Sequence, residues 1–154
     1  MIKNIHKFVA KDSPKQSITG VLVTPEKIVA TDSFRLVEVT HPFPSVSEPT
    51  IVKLPKNCSK IDDISVSQGK VMVVSDGDIS IGAIVDDTFP VYDAIFPTEK
   101  PMLEIKLNTA YLKEIAEFFE RNEQPTFTVK LYGNLKPVLF EAGNIRALLM
   151  PIQN

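Results

Sequence analysis

The fold class is decided by one stretch, Val71-Met72-Val73-Val74-Ser75-Asp76-Gly77-Asp78-Ile79-Ser80-Ile81. Asp-Gly between two runs of apolar alternation is a strong signal for a tight hairpin. Outward from it, the chain is mostly short alternating runs separated by turn residues, which indicate antiparallel sheet. The predicted strands cover residues 20–24, 27–31, 34–40, 50–54, 64–67, 71–75, 79–85, 126–132, 137–141 and 145–152.

The clearest helix signal covers residues 109–121. Its apolar side chains recur at helical spacing, a good N-cap precedes them and a proline follows shortly after the end. These residues are Leu112, Ile115, Ala116 and Phe119, with Asn108 as the cap and Pro125 beyond.

A strand, a helix or helical turn and then three strands occur in that order over residues 50–85 and again over 103–152. A shortened version that begins with a helix fits residues 2–40. We therefore predict an α+β fold built from three repeated strand–helix–three-strand units with antiparallel sheets. The alternative is an unrelated α+β domain made of meanders.

Composition narrows the class of protein. The chain has 154 residues and a net charge of −2, which excludes a globally basic nucleic-acid binder but leaves room for a local basic face. A lone cysteine, Cys58, cannot form an internal disulfide, so a reducing cytoplasm is the expected location. His6 and His41 with Cys58 make a poor zinc set, and we expect no structural metal.

No catalytic motif is present in the sequence. It lacks a phosphate-binding Walker loop, a nucleophile elbow, a zinc-protease motif and a dinucleotide glycine fingerprint. The pairs Asp62-Asp63 and Asp86-Asp87 lie beside turns, where such carboxylates are usually solvated. We therefore predict a protein that is not an enzyme, with no catalytic residues and no cofactor.

Three stretches in a fixed order carry a family resemblance: Ala30-Thr31-Asp32-Ser33-Phe34-Arg35-Leu36, the segment 89–97, and Leu148-Leu149-Met150-Pro151-Ile152. Together they resemble the segments that shape the peptide-binding pocket of the bacterial-type DNA polymerase III beta sliding clamp family. Residues 107–112 match a fourth family segment. The resemblance covers nearly the whole chain but only about one and a half clamp domains.

The resemblance also implies a domain plan. Residues 1–98 would form a clamp-like domain of two units, the first of them shortened. Residues 101–154 would form a half-domain that resembles the C-terminal end of the last clamp domain.

In that family, a pocket between the middle and last domains takes peptide tails of polymerases and other replication proteins. The corresponding positions here would be Ile18, Thr31, Phe34, Arg35, Leu36, Pro90, Ile95, Asn108, Tyr111, Leu148, Met150, Pro151 and Ile152. A concave apolar site with few polar groups and an adaptable methionine suits a short peptide. Arg35 could pair with a peptide carboxylate or carbonyl. The alternative for the aliphatic members is packing in the core.

The family also encloses duplex DNA with helices that carry lysine and arginine, through sequence-independent phosphate contacts. Candidate contacts here are Lys3, Lys7, Lys11, Lys53, Lys56 and Lys60. A helix over residues 2–11 would place the first three on one stripe. The alternative is an ordinary solvated face, most of all for the helix at 109–121, where glutamates compete with Lys113 and Arg121.

The resemblance thus implies a DNA replication processivity factor. Clamp rings use about twelve such units, so three per chain would need a homo-oligomer of four chains to close a ring. The other interpretation is a non-ring adaptor or decoy that binds clamp-seeking peptides without encircling DNA. A third is a structural α+β protein with unrelated ligand binding.

Overall fold

A computed structural model describes residues 1–56 and 58–153. The chain divides into two compact units, Met1–Phe96 and Pro97–Asn154. Among the described residues, no helix is long and apolar enough to span a membrane.

The first unit is mostly strand. Its strands are β1 (Ile2–Lys3), β2 (Val21–Val23), β3 (Lys27–Thr31), β4 (Leu36–Thr40), β5 (Thr50–Lys53), β6 (Lys60–Ile61), β7 (Asp63–Ser67), β8 (Lys70–Ser75) and β9 (Asp78–Ile84). Among the described residues of this unit, three short 3-10 helices lie at Ile5–Phe8, Gln16–Thr19 and Asp93–Ile95.

Seven of these strands form one antiparallel sheet in the order β4-β3-β2-β5-β9-β8-β7. The first two sequence repeats meet in its middle, where β2 pairs with β5 and Val21 lies opposite Val52. The predicted hairpin is confirmed, since β8 and β9 are joined through Asp76 and Gly77, both with the positive φ that such a tight turn requires. The core lies on the face that carries Ile28, Val52 and Val73, all fully buried.

The helix predicted over residues 2–11 is wrong as a continuous element. Ile2–Lys3 pairs as a strand with β6, and Asn4 then adopts a left-handed backbone, with φ of 61°, before the short 3-10 helix begins. The Asn4 N–H donates to the Ser59 carbonyl at 2.7 Å, which holds the segment extended. Burial of Ile2 and Ile5 in the core outweighs the local helix signal.

The second repeat carries one hydrogen-bonded turn where a helix or helical turn was expected. The N–H of Cys58 donates to the Pro55 carbonyl at 3.2 Å. Asn57, which belongs to the same predicted stretch, lies outside the described residues.

The second unit contains the helix α1 (Thr109–Arg121) and the strands β10 (Thr128–Lys130), β11 (Val138–Ala142) and β12 (Ile145–Leu149). The helix bounds predicted from the sequence are confirmed. The strands form an antiparallel sheet in the order β10-β11-β12. Phe119 of α1 is buried against the sheet face that carries Val138, Phe140 and Leu149.

Two of the strands predicted in this unit are shorter in the structure. The run predicted over 126–132 is a strand only at Thr128–Lys130, and the run over 145–152 ends at Leu149. Pro151 has no N–H to donate to a ladder, which explains the early end. Residues 103–107 form no strand either, although the Ile152 N–H donates to the Lys106 carbonyl at 2.8 Å.

Candidate functional sites

The loop between β3 and β4 is a turn held by hydrogen bonds among its own residues. Asp32 Oδ1 accepts from the N–H groups of Phe34 and Arg35, each at 3.0 Å, and Thr31 Oγ1 donates to the Arg35 carbonyl at 2.9 Å. The hydrogen bond from the Arg35 side chain is the main reason that the pKa of Asp32 is lowered. The turn presents the Phe34 side chain almost fully to solvent, at 97% exposure.

Arg35 is held by neighbours within its own unit. Its Nε donates to Asp32 Oδ2 at 2.8 Å and its Nη2 donates to the Lys7 carbonyl at 2.7 Å. The guanidinium also lies over the Phe8 ring, 4.9 Å from the centroid. These contacts tie the loop to the 3-10 helix Ile5–Phe8, and they leave only part of the guanidinium for a peptide.

The segment after β9 returns along the outer face of β3 and β4. Tyr92 is buried there, with Lys27 Nζ 5.2 Å from its ring centroid, and Lys27 also pairs with Asp93 at 3.5 Å. Pro90 is half-buried and Ile95 is exposed, so they flank this anchored tyrosine.

The remaining predicted residues of the first unit differ in exposure. Thr31 and Leu36 are cross-strand partners on the outer face, the first buried and the second half-buried. Ile18 lies in the 3-10 helix Gln16–Thr19 and is only 5% exposed, so almost none of its side chain is open to a ligand.

In the second unit, Tyr111 and Leu148 line one depression of about 410 Å³ between α1 and β12. Asn108 positions the tyrosine, because its Oδ1 caps α1 by accepting from the N–H groups of Ala110 and Tyr111 at 2.9 and 3.1 Å. The depression is mostly apolar, and its helix side is completed by Ile115, Phe118 and one charged residue, Glu114.

The last predicted residues spread away from that depression. Met150 is exposed, Pro151 is half-buried, and Ile152 borders a second depression together with Ile105 and Leu135. Within this unit, the structure therefore brings Tyr111 and Leu148 together but not Ile152 with them.

The predicted DNA contacts separate into two groups on the first unit. Lys11, Lys53 and Lys56 line one depression of about 530 Å³ with Thr19 and Gly20. Among the described residues, none of these three lysines forms an ion pair.

The other three lysines lie on or beside the short β1–β6 ladder. Lys3 is the cross-strand partner of Lys60, and Lys7 is exposed on the 3-10 helix that follows. Lys60 already pairs with Asp76, which reduces what it can offer to a phosphate. The single helical stripe expected for Lys3, Lys7 and Lys11 does not form. Lys11 lies with Lys53 and Lys56, whereas Lys3 and Lys7 lie on or beside the β1–β6 ladder.

Sequence reasoning missed several residues around these sites. Phe118 follows Tyr111 at i+7, and Ile115, already part of the predicted apolar face, lies between them at i+4, so this spacing was a usable signal. The contact of Arg35 with Lys7 and Phe8 had no local signal, because it joins residues that only the fold brings together.

The comparisons with known proteins agree on the fold. The chain superposes on the beta chain of DNA polymerase III from Streptococcus pneumoniae TIGR4 with a TM-score of 0.67 at 15% sequence identity, covering 97% of this chain and 46% of that one. The beta subunit from DNA polymerase of Streptococcus pyogenes gives a TM-score of 0.66, with the same identity and coverage. No protein-family model and no curated protein matches the sequence.

The chain therefore has the α+β fold of the bacterial DNA polymerase III beta sliding clamps, and the resemblance read from its sequence is confirmed at the level of fold. It spans just under half the length of those clamps.

Proposed function

We propose that this protein is a clamp-like replication factor that binds the extended peptide tails of a polymerase or another replication protein. The observation that carries the proposal is the apolar depression shared by Tyr111 and Leu148, two residues that the family resemblance singled out from distant parts of the sequence. A further support for the proposal is Phe34 of the first unit, an apolar side chain that the hydrogen-bonded β3–β4 turn leaves exposed. Exposed apolar side chains on a fixed frame are what peptide anchors require.

A fluorescent peptide that carries a clamp-binding tail tests this proposal. Saturable binding is expected, and replacing Leu148 or Met150 with Ala should weaken it by roughly 1–2 kcal/mol each, about tenfold in Kd. Leu36→Ala should weaken binding by a similar amount.

Matched controls separate contact from folding. Ile79→Ala removes an aliphatic side chain as exposed as that of Leu148, and Met102→Ala removes a fully exposed methionine, both at positions outside the proposed site. Peptide affinity should be unchanged in both. An absence of saturable binding to the unaltered chain would overturn the proposal.

We further propose that the first unit contacts duplex DNA through Lys11, Lys53 and Lys56, with Lys3, Lys7 and Lys60 beside them. Three cations around one depression suit sequence-independent contact with phosphates. A homo-oligomer of four chains would then enclose the duplex, with each chain giving three of about twelve repeated units.

A second candidate function is a non-ring adaptor that binds the same peptides without encircling DNA. Two observations favour it. The segment expected to carry three lysines on a helix is a strand followed by a single short turn. On α1, both Lys113 and Arg121 pair with Glu117, at 3.6 and 3.4 Å, so that this helix has little positive charge to offer.

A further inference from the structure

Another apolar depression, the Leu139 depression, lies on the face of the β10-β11-β12 sheet that points away from α1. It has a volume of about 580 Å³ and is lined by Tyr132, Lys136, Pro137, Leu139, Arg146 and Leu148. The register fixes the face, because Leu139 pairs with Leu148 while the alternate residues Val138 and Leu149 point into the core.

The floor of this depression is apolar. Leu139 is 8% exposed, whereas Leu148 and Tyr132 are 64% and 56% exposed. A volume of this size accommodates one or two apolar side chains of a bound chain. Leu148 borders both this depression and the one that contains Tyr111, so a single peptide that contacts Leu148 can reach either.

The rim of the Leu139 depression is positively charged. Among the described residues, Lys136 has no ion-pair partner, and its side chain is exposed. Arg146 uses its Nε to bond Glu141 Oε1 at 3.1 Å, and Glu141 also pairs with Lys130. One carboxylate therefore serves two cations, which leaves the rim with excess positive charge.

The Tyr111 depression has the opposite character, because Glu114 lies on its lining. Of the two depressions beside Leu148, one carries cations and the other a carboxylate. An acidic residue next to an apolar anchor would be attracted to the first and repelled by the second.

We propose that Lys136 and Arg146 make this site selective for peptides that carry an acidic side chain beside the apolar residue bound at Leu148. The inference rests on the proposed peptide-binding function and adds to it the chemistry of the partner. The long, exposed cations act as a rim that favours the acidic peptide and sets its direction across Leu148.

Two fluorescent tail peptides test the inference. They share the same apolar residues, and one carries Asp where the other carries Asn. At low salt, the Asp peptide should bind the full chain about three- to tenfold more tightly than its twin. The preference should shrink in Lys136→Gln, disappear in Lys136→Gln/Arg146→Gln, persist in the charge-conserving Lys136→Arg, and persist in Lys113→Gln on α1.

The outcomes separate the two claims. Equal binding of both peptides overturns the acidic preference and leaves peptide binding in place. A preference that persists unchanged in the double variant also overturns it, since the charge selection would then come from elsewhere. Failure of either peptide to bind overturns the proposed function together with this inference.

Discussion

At the scale of the residue, the side chain of Asn108 stabilises the start of the helix α1 in the second unit. The Oδ1 atom of Asn108 satisfies two N–H groups at the start of α1, which no turn of the helix could satisfy. The same bonds hold the backbone of Tyr111, so that a cap and a candidate site residue are coupled.

Asn108→Ala should therefore reduce the stability of the second unit by about 1 kcal/mol. Urea unfolding followed by far-UV circular dichroism measures the loss, because α1 is the only α-helix in the described residues. Asn108→Ser keeps a capping oxygen and should retain most of the stability, and Asn134→Ala, in an exposed turn, should change nothing. An unaltered midpoint for Asn108→Ala would show that the cap is dispensable.

A second polar pair gives the first unit a dependence on pH. Lys27 Nζ donates to Glu38 Oε2 at 2.8 Å, and this hydrogen bond lowers the pKa of Glu38. Because the folded pKa lies below the unfolded one, the pair stabilises the fold above the usual glutamate value of about 4.3 and that stabilisation is lost as pH falls through the folded pKa.

Urea midpoints measured from neutral pH into the acid range should therefore fall less steeply in Glu38→Gln than in the unaltered chain. Glu48→Gln, which changes an exposed glutamate with no ion pair among the described residues, should keep the original slope. Parallel curves for the unaltered chain and Glu38→Gln would contradict the assignment.

At the scale of the element, the contact between β2 and β5 joins the first two repeats into one sheet. Gly20 precedes β2, and a Cβ atom there would lie 2.8 Å from the Val52 carbonyl oxygen and 3.0 Å from Ile51 Cγ2. Backbone cannot move aside as a flexible side chain can, so the approach of the two strands requires glycine.

Gly20→Ala should destabilise the first unit by about 1–3 kcal/mol through this overpacking. Tyrosine fluorescence reports the unit only through Tyr92, so the Tyr111→Phe/Tyr132→Phe background isolates its unfolding. Ser80→Ala, on the exposed part of β9, should leave the midpoint unchanged. If Gly20→Ala were as stable as the otherwise identical chain with Gly20, the contact between β2 and β5 would tolerate a methyl group and this assignment would be wrong.

The elements that the sequence predicted well are those with strong local signals. Asp76-Gly77 forced a hairpin, and Asn108 with Pro125 bounded α1. The β1–β6 ladder escaped prediction because it has two residues on each strand and pairs Ile2 with the distant Ile61. The ladder forms because Ile2 and Ile61 are buried in the core, and the local sequence pattern does not indicate this burial.

The candidate sites divide in the same way. Tyr111 and Leu148 could be named from family resemblance, and the fold places them on one depression. The internal bonds of Arg35, and the cations of Lys136 and Arg146 around a shared apolar floor, depend on strand register and tertiary contact. A single sequence carries no local signal for such contacts.

At the scale of the whole molecule, the proposed contact with DNA depends on lysines that bind phosphates. Removing one lysine that binds a phosphate should reduce the dependence of log K on log salt by about 0.9, so Lys11→Gln, Lys53→Gln and Lys56→Gln should each flatten it by that amount. Lys70→Gln, at the exposed start of β8, serves as the control and should leave the slope unchanged. Equal slopes for all four variants would remove the proposed phosphate site.

Topology distinguishes a ring from an adaptor more sharply than affinity does. A closed ring of chains, once assembled on DNA, is held by enclosure and should remain on a nicked circle at salt concentrations that screen the lysine contacts, yet slide off the same DNA once it is cut to a linear form. An adaptor should leave both forms alike as salt rises. Gel filtration of the protein with circular and linearised DNA measures retention, and light scattering at micromolar concentration measures assembly. A strict monomer that leaves circular and linear DNA equally would rule out encirclement while peptide binding stood.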